Sequence, residues 1–141
     1  MTISIDIPIS TIMTKHIISV DVKDGLDRAE HLFKKYNIRH MPVTKGGKIV
    51  GMLSMNDLLR LSFADGAFVE EGNIKSEIYE MFSISQLMVR TPETISSTNT
   101  VRDATELLVK RKYHSLPVVD DGEVVGMVTT TDLLKYYLSM F

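Results

Sequence analysis

Two heptapeptides combine residue types and a spacing that can do chemistry: Gly51-Met52-Leu53-Ser54-Met55-Asn56-Asp57 and Gly126-Met127-Val128-Thr129-Thr130-Thr131-Asp132. In each, an apolar run ends at a hydroxyl residue, and a carboxylate follows three positions later. Where a strand hands over to a helix, this spacing makes a variant capping box: Ser54 or Thr129 caps the first turn, and Asp57 or Asp132 reaches back to a free N–H. The same junction offers unpaired N–H groups and the positive end of a helix dipole, which suits a phosphate. An ionised aspartate beside it can accept both hydroxyls of a ribose, as an acid does in dinucleotide folds. Gly51 and Gly126 either let a ligand approach the backbone or permit a tight fit between strands. Structural cap and ligand site are compatible readings of one geometry.

The two heptapeptides belong to a longer duplication. Residues 9–60 and 84–135 superimpose without a gap when 75 is added to each number, placing Met13 on Met88, Ala29 on Ala104, Pro42-Val43 on Pro117-Val118 and Gly47 on Gly122. A duplicated half-domain is expected to pack as two copies about a pseudo-twofold axis, each burying a face the other leaves bare. Twin clefts would result, and with them paired sites.

One copy reads as β-α-β-β-α. Ile17-Ile18-Ser19-Val20-Asp21-Val22 is β-branched and partly alternating, a strand. Leu26, Ala29, Leu32, Phe33 and Tyr36 then fall at steps of three and four, the apolar stripe of a helix. Its counterpart carries Val101, Ala104, Leu107 and Leu108 after Ser97-Thr98-Asn99-Thr100, a cluster of possible caps. Hairpins follow, turning at Lys45-Gly46-Gly47 and Asp120-Asp121-Gly122, where Gly-Gly and Asp-Gly supply positive φ angles. Pro42 and Pro117 cannot donate to a ladder and belong at strand starts or edges. Helices beginning at Asp57-Leu58-Leu59 and Asp132-Leu133-Leu134 close each copy. Ile78, Met81 and Phe82 suggest a short helix in the connecting residues 62–83, which also hold Gly66 and Gly72.

Composition narrows the function classes. At 141 residues the chain is the length of one compact domain, and its net charge of −2 and 7% aromatic content give no reason to expect nucleic acid. No cysteine is present, which excludes disulfides and thiolate metal sites, and four scattered histidines do not suggest zinc. No apolar run approaches the roughly 20 residues of a membrane span. Met1-Thr2-Ile3-Ser4-Ile5-Asp6 lacks the pattern of a signal peptide, so a cytoplasmic location is expected. Walker, Rossmann and H-E-x-x-H patterns are missing, and Asp57 and Asp132 repeat one local role rather than dividing acid and base duties. No enzyme activity is expected.

The G-h-x-[ST]-x-x-D elements, the apolar-Pro-Val strands at Met41-Pro42-Val43 and Leu116-Pro117-Val118, and the Met13 and Met88 segments resemble a tandem pair of CBS (cystathionine β-synthase-type) domains, a Bateman module. The resemblance implies an α+β fold in which residues 1–141 form a single CBS-pair module. Its parts would be repeat 1 at 9–62, a connecting segment at 63–83 and repeat 2 at 84–138. It implies a non-catalytic regulatory module that binds AMP, ADP, ATP or S-adenosylmethionine in clefts between the repeats and signals occupancy to an effector protein. Carried over by position, Asp57 and Asp132 would take the ribose hydroxyls. Ser54, Thr129 and Thr131 would lie beside ribose and phosphate, with Asn56 replacing the hydroxyl in copy one. The base would rest near Ser19-Val20 and Thr94-Ile95. Arg39, His40 and His114 would meet phosphates, Arg39 with bidentate geometry and the histidines on protonation. The alternative is a ligand-independent dimerisation or interaction scaffold with vestigial clefts. Exposed helix faces and the apolar end Tyr136-Tyr137-Leu138-Ser139-Met140-Phe141 would pair two chains.

Overall fold

The computed structural model describes residues 6–64, 76–111 and 113–141. They form two compact units, each a small α+β layer structure. One is Ile18–Pro92; the other joins the residues up to Ile17 with Glu93–Phe141.

In the unit of Ile18–Pro92, strand β1 (Val20–Asp21) pairs in parallel with β2 (His40–Lys45), which forms a hairpin with β3 (Lys48–Ser54). Gly46 and Gly47 turn that hairpin with φ of 58° and 81°. Helix α1 (Leu26–Tyr36) buries Leu26, Ala29, Leu32 and Phe33 of the expected stripe, leaves Tyr36 at its last turn exposed, and stops where Asn37 turns left-handed at φ 52°. Helix α2 (Met55–Ala64) follows β3 directly. Strand β1 is shorter than its β-branched run because the chain turns at once: Asp21 N–H donates to Asp24 Oδ2 (3.0 Å) and Lys23 N–H to Asp21 Oδ1 (2.9 Å).

The connecting helix expected from Ile78 is α3 (Ser76–Met81), where Ile78 and Tyr79 are buried while Met81 is exposed. Gly66 and Gly72 lie outside the described residues. Tyr79 donates its hydroxyl to Glu30 on α1, and burial, reinforced by that carboxylate, pushes its pKa well above the usual phenol range. Helix α4 (Ile84–Leu87) starts at a reciprocal Ser83–Gln86 capping box, and β4 (Val89–Arg90) adds to β3 in antiparallel register.

The second unit repeats the plan. Helix α5 (Val101–Arg111) is capped by Thr100, whose Oγ1 accepts from Asp103 N–H (3.1 Å) while Asp103 accepts from Thr100 N–H (2.9 Å). Strands β5 (Ser115–Asp120) and β6 (Glu123–Thr129) form the hairpin, turning at Asp121 and Gly122 with φ of 53° and 82°. Helix α6 (Thr130–Leu138) closes the unit. Pro117 contributes only its carbonyl, which accepts from Ile95 N–H at 3.1 Å. Each hairpin slips register at one place, between Val43 and Thr44 and between Val118 and Val119.

The leading segments are exchanged. Ile9, in a 3₁₀ turn (Ile9–Thr11), is fully buried with Val101, Leu116, Val118 and Val128, the core of the later repeat. Ile84, its counterpart 75 residues on, is fully buried with Leu26, Phe33, Leu53 and Leu58, the core of the earlier one. Two glycines make the exchange possible. Thr14 lies against Met127 with mutual N–H to carbonyl bonds of 2.8 and 2.9 Å, and a Cβ on Gly126 would stand 3.0 Å from the Thr14 carbonyl and collide with Met13 Sδ. At Gly51 the same obstacles are the Val89 carbonyl (3.0 Å) and Met88 Sδ. The backbone freedom at these glycines is thus filled by methionine and strand, the tight-fit alternative of the two.

We expect Gly126→Ala to cost about 1–3 kcal/mol by overpacking, read as a lower urea midpoint at unchanged m-value. Adding Met13→Ala should restore only part of the loss, because the Thr14 carbonyl stays in place. Full restoration would mean that backbone crowding is unimportant.

Candidate functional site

Each strand-to-helix junction is organised by its own aspartate. In the later repeat, Thr129 N–H donates to Asp132 Oδ2 at 2.9 Å and Asp132 N–H to Thr129 Oγ1 at 3.1 Å, a reciprocal capping box. The earlier repeat has the same pair of bonds between Ser54 and Asp57, at 2.9 and 3.1 Å. The first helical amides are satisfied by the residue preceding each Pro-Val strand: Met55 N–H donates to Arg39 O (2.9 Å) and Thr130 N–H to His114 O (3.0 Å). That leaves the next amides, of Asn56 and Thr131, without a partner among the described residues. An outward N–H beside a fixed carboxylate, at the positive end of a helix dipole, can hold an anion next to a diol.

The junctions differ in what else touches the carboxylate. Asp132 is partly exposed, and Thr14 Oγ1 lies 3.3 Å from both its oxygens. Asp57 is the buried one, its side chain 8% exposed, and it is ion-paired through Oδ1 with Arg60, whose own side chain is 74% exposed. With one partner so open to solvent the pair contributes at most about 1 kcal/mol. Thr14 and Arg60 are the two residues here that reading the repeat overlooks. Arg60 was legible as the i+3 partner of Asp57 on one helix. Thr14 was not, since only the exchange of leading segments brings it to Asp132.

The remaining expected residues fall into separate places. Ser54 lines a hollow of about 520 Å³ with Asn56, Leu59 and Arg60. Arg39 and His40 are exposed, and His40 pairs in register with Ser54 across the hairpin. His114, also exposed, lines an apolar hollow of about 500 Å³ together with Thr130, Leu108, Leu133 and Tyr137. Thr131 is exposed at the second helical position. Ser19 is exposed, whereas Val20 is buried and in register with Val43. Thr94 and Ile95 line a third hollow, of about 370 Å³, with Asp103, Glu106 and Lys110. Ile95 is itself buried and bridges Val118, its N–H donating to Pro117 O (3.1 Å) and its carbonyl accepting from Val119 N–H (2.8 Å), so Thr94 is the exposed member of the pair. The structure therefore joins serine or threonine, aspartate and the residue just before strand β2 or β5 at each junction, and sets Thr94-Ile95 at another hollow of the later unit.

A latch holds that segment. Asp120 accepts from Ser97 Oγ (2.5 Å), Ser97 N–H (3.1 Å) and Ser96 Oγ (3.1 Å). These bonds, the Ser97 hydroxyl foremost, hold the Asp120 carboxyl below the ordinary carboxylate range. Asp103 is lowered too, chiefly by the Thr100 amide. No group of three or more His, Asp or Glu among the described residues is placed to hold a metal, and no described helix is long and apolar enough to cross a membrane.

With this geometry in hand, the sequence profile of the CBS domain matches residues 9–64 and again 84–139. The chain belongs to the CBS-domain family. An uncharacterized protein of Methanocaldococcus jannaschii, MJ1426, is 30% identical over 152 aligned positions, covering 90% of this chain and 89% of that one. The inosine-5'-monophosphate dehydrogenase of Korarchaeum cryptofilum is 27% identical, but this chain spans only 22% of the enzyme's length, and it spans 45% of MJ1225 from M. jannaschii. Among solved CBS structures, CBSX2 in complex with AMP superimposes with a TM-score of 0.78 at 24% identity, covering 95% of this chain and 98% of that one. The CBS domain pair of MJ0100, in complex with 5-methylthioadenosine and S-adenosyl-L-methionine, gives 0.79 at 24% identity, covering 98% and 100%. At that identity the likeness establishes the fold: two CBS repeats in an α+β arrangement.

The latch yields a pH test. A carboxyl whose folded pKa is depressed adds stability above its unfolded value, near 3.9, and that stability is lost as pH falls through the folded value. Asp120→Asn should lower the unfolding free energy at pH 7 and flatten part of the acid limb below about pH 4. Identical acid limbs in both proteins would show that the latch does not titrate with folding.

Proposed function

We propose that this CBS pair is a non-catalytic sensor of an adenosyl ligand (AMP, ADP, ATP or S-adenosylmethionine) that reports occupancy to an effector protein in the cytoplasm. The observation that carries the reading is the Asp132 junction: a carboxylate fixed by its own capping box, touched otherwise by one weak hydroxyl contact, beside the unpartnered Thr131 amide. A ribose diol suits such a carboxylate and a phosphate suits such an amide. Thr129 and Thr131 would flank ribose and phosphate there, with His114 a further donor to the phosphate. Ser54 and Asp57 are the corresponding pair of the earlier repeat, with Arg39 and His40 for phosphate. Ser19-Val20 and Thr94-Ile95 would lie beside the base, with Ser19 and Thr94 the exposed members of the two pairs. The complexes of CBSX2 and of MJ0100 with adenosyl compounds support this ligand class. Signalling requires the ligand to favour one of two arrangements, since equal affinity for both shifts nothing.

A second observation favours self-association, with or without ligand. Val109, Leu134 and Leu138 are 73%, 67% and 71% exposed along α5 and α6, and Val109 and Leu134 line the apolar hollow. The equivalent surface of the earlier repeat is treated differently: Lys34 stands in place of Val109, Leu59 is partly buried, and α3 packs on α1. We infer that the α5–α6 face pairs two chains isologously. A scaffold that binds no nucleotide would use this face alone.

Thermal denaturation with each adenosyl compound tests the sensor reading. A ligand at 100 times its dissociation constant should stabilise the fold by about 2.7 kcal/mol, and Asp132→Ala should remove the effect while the protein stays folded. No shift with any of them would leave the scaffold. Sedimentation velocity should give twice the 15.9 kDa chain mass, reverting to a monomer in Leu134→Glu; a monomeric wild type would rule out pairing.

A further inference from the structure

The two junctions share a capping box and differ in the group that competes for the carboxylate. At Asp132 the competitor is the Thr14 hydroxyl, neutral and 3.3 Å from each oxygen. At Asp57 it is the Arg60 guanidinium, an ion pair on a carboxylate only 8% exposed whose other oxygen already accepts the Ser54 N–H. The repeat makes the contrast sharp. Position 75 beyond Thr14 is Val89, which has no hydroxyl, and position 75 beyond Arg60 is Lys135, which makes no ion pair among the described residues. Each junction thus has one tether for its aspartate, supplied from a different place and of a different chemical kind.

We propose that Arg60 is a built-in competitor for the ligand, so that the chain takes one adenosyl ligand, at Asp132, and keeps the Asp57 junction closed. The proposal rests on the adenosyl reading above. A ribose diol arriving at Asp132 exchanges one hydroxyl donor for another, nearly like for like. At Asp57 the same diol must displace a charged donor, and charge-assisted hydrogen bonds are roughly twice as strong as neutral ones. It must also find room, because Arg60 lines the hollow that Ser54, Asn56 and Leu59 share. Asn56, where the later repeat has Thr131, offers no hydroxyl to offset the loss. Lysine at 135 does not close the Asp132 junction in the same way: its ammonium is a compact, strongly hydrated point charge without the planar fork that grips a carboxylate. Duplication supplied two frames, and one substitution pattern closes one of them.

Isothermal titration with AMP, and separately with S-adenosylmethionine, reads the stoichiometry. We expect one equivalent per chain for the wild type, and a second equivalent in Arg60→Gln, its affinity for that junction raised about fivefold. Asp132→Asn should abolish tight binding in the wild-type background but leave one equivalent when combined with Arg60→Gln. Two equivalents of similar affinity in the wild type would overturn the proposal while leaving the sensor reading intact. Weaker binding in Arg60→Gln would overturn it too, by showing that the guanidinium holds the ligand's phosphate instead. No heat from either compound, in the wild type or in Arg60→Gln, would overturn the adenosyl reading and this proposal with it.

Discussion

The reciprocal bonding of a carboxylate and a hydroxyl across three residues is the interaction on which the rest depends. It ends strand β6 and starts helix α6 in one step, spends a helix-terminal amide on Thr129, and points Asp132 at a fixed spot. The bond from Thr130 N–H to the His114 carbonyl ties the same helix start to the residue before the Pro-Val strand. Hairpin, helix start and carboxylate therefore move as one piece. The cap is what holds the acid still.

Divergence between the copies is concentrated on contacts that the shared frame leaves undetermined. Backbone elements correspond position by position, down to the register slip in each hairpin. Side chains outside the core do not. Glu30 on α1 meets Tyr79 of α3, whereas Thr105 at the matching place bonds Tyr137 of α6. Asp21 and Asp24 close the first turn of one repeat, whereas Ser96, Ser97, Asn99 and Asp120 form the corresponding latch in the other. A common scaffold with private contacts is what lets two related sites acquire different properties.

The helices were the most legible part of the chain, because an apolar stripe at steps of three and four has one explanation: Leu26, Ala29, Leu32 and Phe33 are all buried. The hairpin turns were equally plain, their glycines and Asp121 all showing positive φ. Strand β1 was overestimated, since β-branched residues signal extended chain but not where it finds a partner, and only Val20 and Asp21 pair. The short helix read from Ile78 was there, though Met81 faces outward. The local pairing of Asp57 and Asp132 with their hydroxyl residues followed from spacing. Their remaining partners divide by distance along the chain: Arg60, one turn away, could have been inferred, while Thr14, 118 positions from Asp132, could not. Periodicity speaks to local structure, and long-range apposition lies beyond it.

The exchange of leading segments also orders the chain's completion during synthesis. Ile18–Pro92 is one continuous stretch, so its core has every component, Ile84 included, before residues 93–141 are made. The other core must wait. Ile9 is made well before its partners Val101, Leu116, Val118 and Val128, which come more than ninety positions later. Closing such a separation is slow relative to local pairing, so the segment around Ile9 stays an uncovered apolar anchor until those partners have been made. A residue made ahead of the partners that cover it must wait for them.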